Sequence, residues 1–483
     1  MTAHPKIGLL ALTLELYETL APGLRSSREA WVRRALLPPL AADADVLFDR
    51  AVFRRDDVES KVRQFEASGI DLLVVVFLTY APSQIVLPAL VRTRLPILIW
   101  NTQELWGVDS AFTTEAMIDN HGVHGTQDLA NVLVRAGVPF HVVTSHPSEP
   151  DGLAELRDFS CAAAAVNRLR SARIGRLGYP FPGMGDLGLD TTHLAATLGC
   201  AWVNLPLDDY HQRAAGASDA DVRNRVADYR ETYDVAPDVT AIELEATARA
   251  ELALRSFVAE HGLSALTYQF LAFGDDERTE TLPFVAASRL RADGIGFGGE
   301  GDLVGAIGTL LLHWLNPPAT FSEMFTVDFA GNALFMSHMG EANVAMARRD
   351  RPVPLVARTT PITRTRTRQL ALITSLEPGP ATLAALAIGP AQRWRLLAAP
   401  VAIEDYGPLP GFCVPHFKAR PQSDVRRFLT DYARAGGPHH NAVCFGDARR
   451  RLRFAAERID GEYHEIGGRR GGRDDDRETG GLD

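Results

Sequence analysis

Between Gly294 and His338 the chain carries two carboxylates and an imidazole that could share a cation. Glu300 stands in a glycine-rich turn, flanked by Gly298, Gly299 and Gly301; Glu323 falls on an expected strand and His338 on the next. Glycine on both sides of Glu300 removes side-chain bulk, so the backbone can turn sharply and a ligand can come close. A further donor comes from far along the chain, where His439 and His440 follow a glycine pair in AGGPHHNAVCF. Carboxylates with imidazoles suit Mn²⁺, Fe²⁺, Co²⁺ or Zn²⁺ better than Ca²⁺. Spacing alone leaves the plainer reading open: a simple turn, and a strand glutamate that faces water.

The ordered series GFGGEGD, FSEMFTVDF, SHMGEAN and GGPHH resembles the motifs of the L-arabinose isomerase family and, more distantly, of L-fucose isomerases. The resemblance implies a manganese-like ion held by Glu300, Glu323, His338 and one of the His439/His440 pair, with His440 favoured. It also implies an aldose–ketose isomerase in which Glu300 and Glu323 exchange protons with the sugar and His439 contacts it. Thr102-Gln103 matches a family Thr-Gln, which makes Gln103 a substrate contact, and Asn120 to Gly125 matches a segment whose substrate-contacting histidine falls on His124. Two positions depart from the pattern. His121 replaces a glutamine, and Leu14-Glu15-Leu16-Tyr17 replaces Gln-x-Leu-Tyr, which leaves Tyr17 but not the amide. Each replacement removes a donor–acceptor pair that could read a sugar hydroxyl, so the implied sugar need not be L-arabinose. Phe273 sits where the family places an aromatic ring against substrate, and a core role is equally open to it. Family members form trimers or hexamers whose site is completed by a neighbour, so the resemblance implies a homotrimer or homohexamer in which His124 serves another subunit.

The elements that must position these groups follow from periodicity. Apolar runs at Ile7 to Leu12, Asp45 to Phe48, Asp71 to Phe77, Pro96 to Trp100 and Phe140 to Thr144 alternate with helical patterns at Ser27 to Leu37, Asp56 to Ala67, Pro82 to Val91 and Thr126 to Ala136. That alternation predicts a parallel sheet covered on both faces. No GxGxxG fingerprint follows a strand, which argues against a nicotinamide cofactor. A second α/β unit starts near Ala172, with strands at Ala172 to Gly178, Ala201 to Leu205 and Ala265 to Phe270, and helices at Ser218 to Tyr233, Ala241 to His261 and Thr281 to Ala292. The loop Tyr179 to Asp186 is too rich in Pro and Gly to be regular, and it offers Met184 to a pocket.

After Asn316-Pro317-Pro318 short strands take over: Ser322 to Phe329, Ala333 to His338, Leu355 to Thr359, Gln369 to Thr374 and Trp394 to Ala402, with helices at Ser423 to Ala435 and Asp447 to Ile459. The expected architecture is α/β: two Rossmann-like domains (1–170 and 171–318), then a mostly antiparallel β-barrel with flanking helices (319–466) and a disordered tail (467–483).

Composition sets the outer bounds. At 483 residues, 46% hydrophobic and 23% charged, the chain can bury large cores. A net charge of −10 and the lack of a basic stripe outside the arginine-rich C-terminus argue against nucleic acid as a partner. The four cysteines show no CxxC spacing, and the N-terminus reads unlike a signal peptide. No apolar run is long enough to span a membrane. A cytoplasmic protein with a small sugar ligand is the expectation. Two other classes stay in play: a sugar-binding regulator without activity, and a metal-dependent epimerase or hydrolase on the same scaffold.

Overall fold

The computed structural model describes residues 5–360 and 363–467, so the expected tail lies outside the described residues from 468 onward. The described residues divide into two compact units, one ending at Arg168 and the other starting at Leu169.

The first unit is built on β1 (Lys6–Leu12), β2 (Asp45–Leu47), β3 (Leu72–Phe77), β4 (Ile97–Asn101) and β5 (His141–Thr144), all parallel in the order β2-β1-β3-β4-β5. Every residue of β3 is buried, as a central strand covered by helices on both faces requires. The order reverses between β1 and β3, the doubly wound arrangement. One expected helix changes shape: Ser27 to Leu37 becomes a longer run from Leu24 that passes through a π-helical turn at Val32–Leu36.

Five strands follow: β6 (Arg173–Leu177), β7 (Ala201–Leu205), β8 (Asp234–Val235), β9 (Ala265–Tyr268) and β10 (Gly296–Gly298). All but β8 form a second parallel sheet, β10-β9-β6-β7. The helix Ala241–His261 covers it. That helix begins at a Thr240–Glu243 capping box and ends at Gly262 in the left-handed conformation, which explains why its bounds are plain in the sequence.

The remaining strands are β11 (Ala319–Asp328), β12 (Ala333–Ser337), β13 (Pro354–Arg358), β14 (Gln369–Leu372), β15 (Gly379–Ile388), β16 (Trp394–Ile403), β17 (His416–Pro421), β18 (His440–Phe445) and β19 (Glu462–Glu465). Six of them close an antiparallel barrel in the order β15-β18-β11-β12-β17-β16, with β15 pairing back onto β16 and β19 running parallel along β16. Its core packs Leu334, Met336, Leu383, Leu397, Val401, Phe417 and Val443 against Phe428 and Tyr432 of the helix Val425–Arg434.

Two expected barrel strands lie elsewhere. β13 and β14, expected over Leu355 to Thr359 and Gln369 to Thr374, pair with each other and with β8 in a separate three-stranded sheet. Their apolar residues Leu355, Leu370 and Leu372 are buried against Val222, Tyr229, Leu244 and Ala248 of the central helices, and that contact draws them off the barrel. The barrel takes β15, β17 and β18 instead.

Beside this cluster Glu251, with 0% exposure, accepts from Tyr229 Oη at 2.7 Å and sits 2.7, 3.1 and 3.3 Å from Arg255, Arg289 and Arg225. A buried charge deprived of its partner is costly. Glu251→Gln leaves three guanidinium groups without their shared counter-charge, and urea unfolding should show a loss of about 3 kcal/mol. A loss under about 0.5 kcal/mol, the scale of an exposed pair, would contradict the assignment of this cluster as a structural anchor.

Candidate active site

The turn after β10 is built by close approach. Glu300 adopts a left-handed backbone with φ of 58°, a conformation non-glycine residues seldom take and one that is often found at functional sites. Its neighbours leave it no room to relax. A Cβ on Gly299 would lie 2.6 Å from His338 Nε2, and one on Gly301, whose own φ is +80°, would lie 2.2 Å from the Tyr179 carbonyl. The Phe181 amide donates to the Glu300 carbonyl at 2.9 Å. The Pro/Gly-rich loop 179–186 is therefore fastened to the turn through backbone.

The barrel supplies the opposing groups. On β11, Glu323 is registered opposite His440 of β18 on one side and Ser337 of β12 on the other, and residues directly opposite on antiparallel strands put their side chains on one face. His338, expected on the strand, lies one residue past the end of β12. Leaving the pleat lets its ring turn toward His440, 5.9 Å away between ring centroids. Phe321, 1% exposed, packs its ring against both imidazoles at 4.8 and 4.7 Å.

Two overlapping donor sets result. Ligand-type atoms of Glu323, His338 and His440 lie within 4.8 Å of one another, and so do those of Glu300, His439 and His440. His440 belongs to both, with its Nε2 3.7 Å from Glu300 Oε2, against 3.9 Å for His439 Nε2. Each imidazole is backed on Nδ1 by a carboxylate: Glu341 Oε2 at 2.7 Å for His338, Asp302 Oδ2 at 2.8 Å for His440, and Asp186 for His439. The Nε2 atoms of all three are buried and have no hydrogen-bond partner. Buried polar atoms are nearly always paired, and an imidazole whose far nitrogen is held by a carboxylate is the usual form of a metal-ligating histidine. The donor set thus fits a divalent cation of the Mn²⁺ or Zn²⁺ kind.

Electrostatics agree with the geometry. Burial pushes the Glu300 carboxyl up, but the imidazoles of His439, His338 and His440 outweigh it and hold the group below the usual carboxylate range. Burial lowers His439, yet Glu300 and Asp186 carry it up to about 9. Burial lowers His338 too, but Glu341, with Glu323 and Glu300, outweighs it and the group is raised. The carboxylates around His338 and His439 thus favour positive charge there, which a bound cation could supply instead of protons.

Other residues named from the sequence fall in different places. Phe273 is fully buried, packed edge-on against Tyr210 at 4.9 Å and Tyr268 at 5.7 Å; with 0% exposure it is a core ring, and it offers no surface to a ligand. Met184 is half-buried in the loop that brings Asp186 to His439. In the first unit Tyr17 Oη lies 3.0 Å from His121 Nε2, His121 Nδ1 lies 2.6 Å from the Ile118 carbonyl, and the His121 and His124 rings are 5.7 Å apart. Gln103 Nε2 donates to the Leu105 carbonyl at 2.8 Å.

Two family models match the chain, the L-arabinose isomerase central domain over residues 189–313 and the L-arabinose isomerase C-terminal domain over residues 318–462, together more than half its length. The chain belongs to the L-arabinose isomerase family. It is 29% identical over 410 residues to the L-arabinose isomerase of Acidothermus cellulolyticus, covering 80% of this chain and 79% of the relative. The L-arabinose isomerase of Nocardioides sp. is 29% identical over 387 residues, covering 76% and 74%. That of Mycolicibacterium smegmatis is 27% identical over 436 residues, covering 85% and 84%. The matched segments of this L-arabinose isomerase family member contain all five donors, Glu300, Glu323, His338, His439 and His440.

Sequence reasoning passed over Asp302, Glu341 and Asp186. The first two lie inside the quoted GFGGEGD and SHMGEAN motifs, so a signal was present, but nothing in spacing says which histidine an acid will back. Because Gly301 combines a positive φ with a backbone contact, Gly301→Ala is expected to lower stability by about 2 kcal/mol. Thermal unfolding checks this, and an unchanged midpoint would show that the loop is free to shift away from the turn.

Proposed function

We propose that this aldose–ketose isomerase family member is metal-dependent and works through an enediolate, with Glu300, Glu323, His338 and His440 holding the cation. The observation that supports the reading is a pair of donor sets, Glu323 with His338 and His440 and Glu300 with His439 and His440, that share His440 and carry partnerless imidazole Nε2 atoms. A divalent ion such as Mn²⁺, Co²⁺, Fe²⁺ or Zn²⁺ bound there supplies Lewis-acid charge beside the oxygen that becomes negative.

The chain's own groups carry the protons. Glu300 and Glu323 act as the base and acid pair. One carboxylate takes the C2 proton; the C–H electron pair becomes the C1–C2 double bond and the carbonyl pair moves onto O1. Returning the proton to C1, with the O2 hydroxyl proton passing to O1, leaves the carbonyl at C2. Glu300 suits the basic role because its neighbours keep it ionised in spite of burial. Phe321 keeps water from the imidazoles, and His439, tied to Asp186, contacts the sugar.

The relatives are named for L-arabinose, and the sugar here is proposed to be a pentose, deoxy-hexose or related sugar that need not be L-arabinose. His121 supports this: both its ring nitrogens are engaged, by Tyr17 and Ile118, so it cannot offer the free amide it replaces. Met184 joins His439 among the proposed sugar contacts, and Tyr17, Gln103, His121 and His124 are proposed to serve the site of a neighbouring subunit. A homotrimer or homohexamer in the cytoplasm is the proposed setting; among the described residues no helix is long and apolar enough to cross a membrane.

The test is incubation with Mn²⁺ and a panel of aldoses in D₂O. Isomerisation puts solvent deuterium into the sugar and yields the ketose; a sugar bound but unchanged would favour a regulator instead, and an inverted C2 without ketose would favour an epimerase. EDTA should abolish turnover and added Mn²⁺ restore it. Glu300→Gln should lower kcat by about 10³-fold or more with the circular dichroism spectrum unchanged, and normal turnover in that variant would remove Glu300 from the reaction.

A further inference from the structure

We infer that Glu341 and Asp302 are positioning residues that set the tautomers of His338 and His440, so that both imidazoles present Nε2 lone pairs to the same cation. The inference rests on the metal-dependent reading and adds to it the groups that prepare its ligands.

A neutral imidazole carries one N–H, and which nitrogen holds it depends on what the other meets. Glu341, 2% exposed, has both oxygens committed: Oε2 to His338 Nδ1 at 2.7 Å and Oε1 to the hydroxyl of Tyr268, itself 2% exposed on β9. Arg291, 1% exposed, adds its charge to the same pocket. The carboxylate can only accept, so His338 must donate from Nδ1, and in the neutral ring that a metal requires the lone pair is left on Nε2.

Asp302 reaches the same result from another element. It stands at the N-cap of the helix Leu303–Leu315, where an aspartate ordinarily accepts from the helix's first amides. Here the side chain caps nothing; Oδ2 accepts instead from His440 Nδ1 at 2.8 Å. A stabilising local contact is forgone to hold the imidazole. Had these acids served only to satisfy buried histidines, each Nε2 would also need a partner, and neither has one.

The experiment compares the full-length protein with Glu341→Gln, Glu341→Met, Tyr268→Phe and Asp302→Asn. Mn²⁺ binding to the metal-free proteins is measured by calorimetry, and imidazole tautomers are read from ¹⁵N NMR. Metal-free His338 and His440, read at a pH high enough for both rings to be neutral, should both be Nδ1–H. Mn²⁺ affinity should fall about 10- to 100-fold in Asp302→Asn and Glu341→Met, and less in Glu341→Gln, which keeps an acceptor but loses the charge. Tyr268→Phe should weaken Mn²⁺ only a few-fold, and His338 in Glu341→Met should drift toward Nε2–H. If Glu341→Met does not fold, Glu341→Gln and Asp302→Asn decide.

Unchanged Mn²⁺ affinity in those two variants, beside binding by the unaltered protein, overturns the positioning role alone. A neutral ring protonated on Nε2 and bare on Nδ1, at either histidine in the unaltered protein, overturns it as well. Failure of the unaltered protein to bind Mn²⁺ overturns the metal-dependent reading, and this inference with it.

Discussion

The structure depends on a desolvated imbalance: imidazole Nε2 atoms are buried without a hydrogen-bond partner while carboxylates press on their far sides. Leaving a buried acceptor unsatisfied costs about 1–3 kcal/mol, and His338, His439 and His440 together carry three such atoms. A fold maintains that arrangement only where surrounding contacts over-determine it. Here they do. Phe321 wedges between two of the rings, Gly299 brings backbone against the third side of His338, and β11 is paired on both edges so that Glu323 cannot swing away.

The two halves of the candidate centre come from different structural classes, and each contributes what its class does well. A parallel sheet presents turns at strand ends, and β10 delivers Glu300 on such a turn, strained into the left-handed region. An antiparallel barrel fixes side chains by register, and it delivers Glu323 and His440 side by side on paired strands.

Much of this was legible in the sequence. The five donors lie in short motifs, glycines mark the close approach at Glu300, and a capping box announces the helix Ala241–His261. The parallel sheets read well because strands buried on both faces, such as Leu72–Phe77, are almost wholly apolar. The barrel read poorly. Strand β15 is GPATLAALAI, whose alanines and leucines carry no alternation, and β18 is HNAVCF, hidden behind the turn that attracted notice. The strands with the plainest β pattern, β13 and β14, went to a different sheet because their apolar faces found the central helices. Phe273 shows the same limit. Its type is compatible with a binding wall, and only the packing of Tyr210 and Tyr268 around it makes it core.

That small sheet of β8, β13 and β14 has a consequence for how the polypeptide can be divided. It stitches Asp234–Val235 to Pro354–Arg358 and Gln369–Leu372 across more than a hundred residues, beneath one shared apolar layer. A polypeptide severed near Pro318 would strip that layer from Val222, Tyr229 and Leu244 and leave a bare strand edge open to pairing with other chains. The segments on either side of that proline are therefore halves of one cooperative body, and the centre they enclose is assembled only once both have been made.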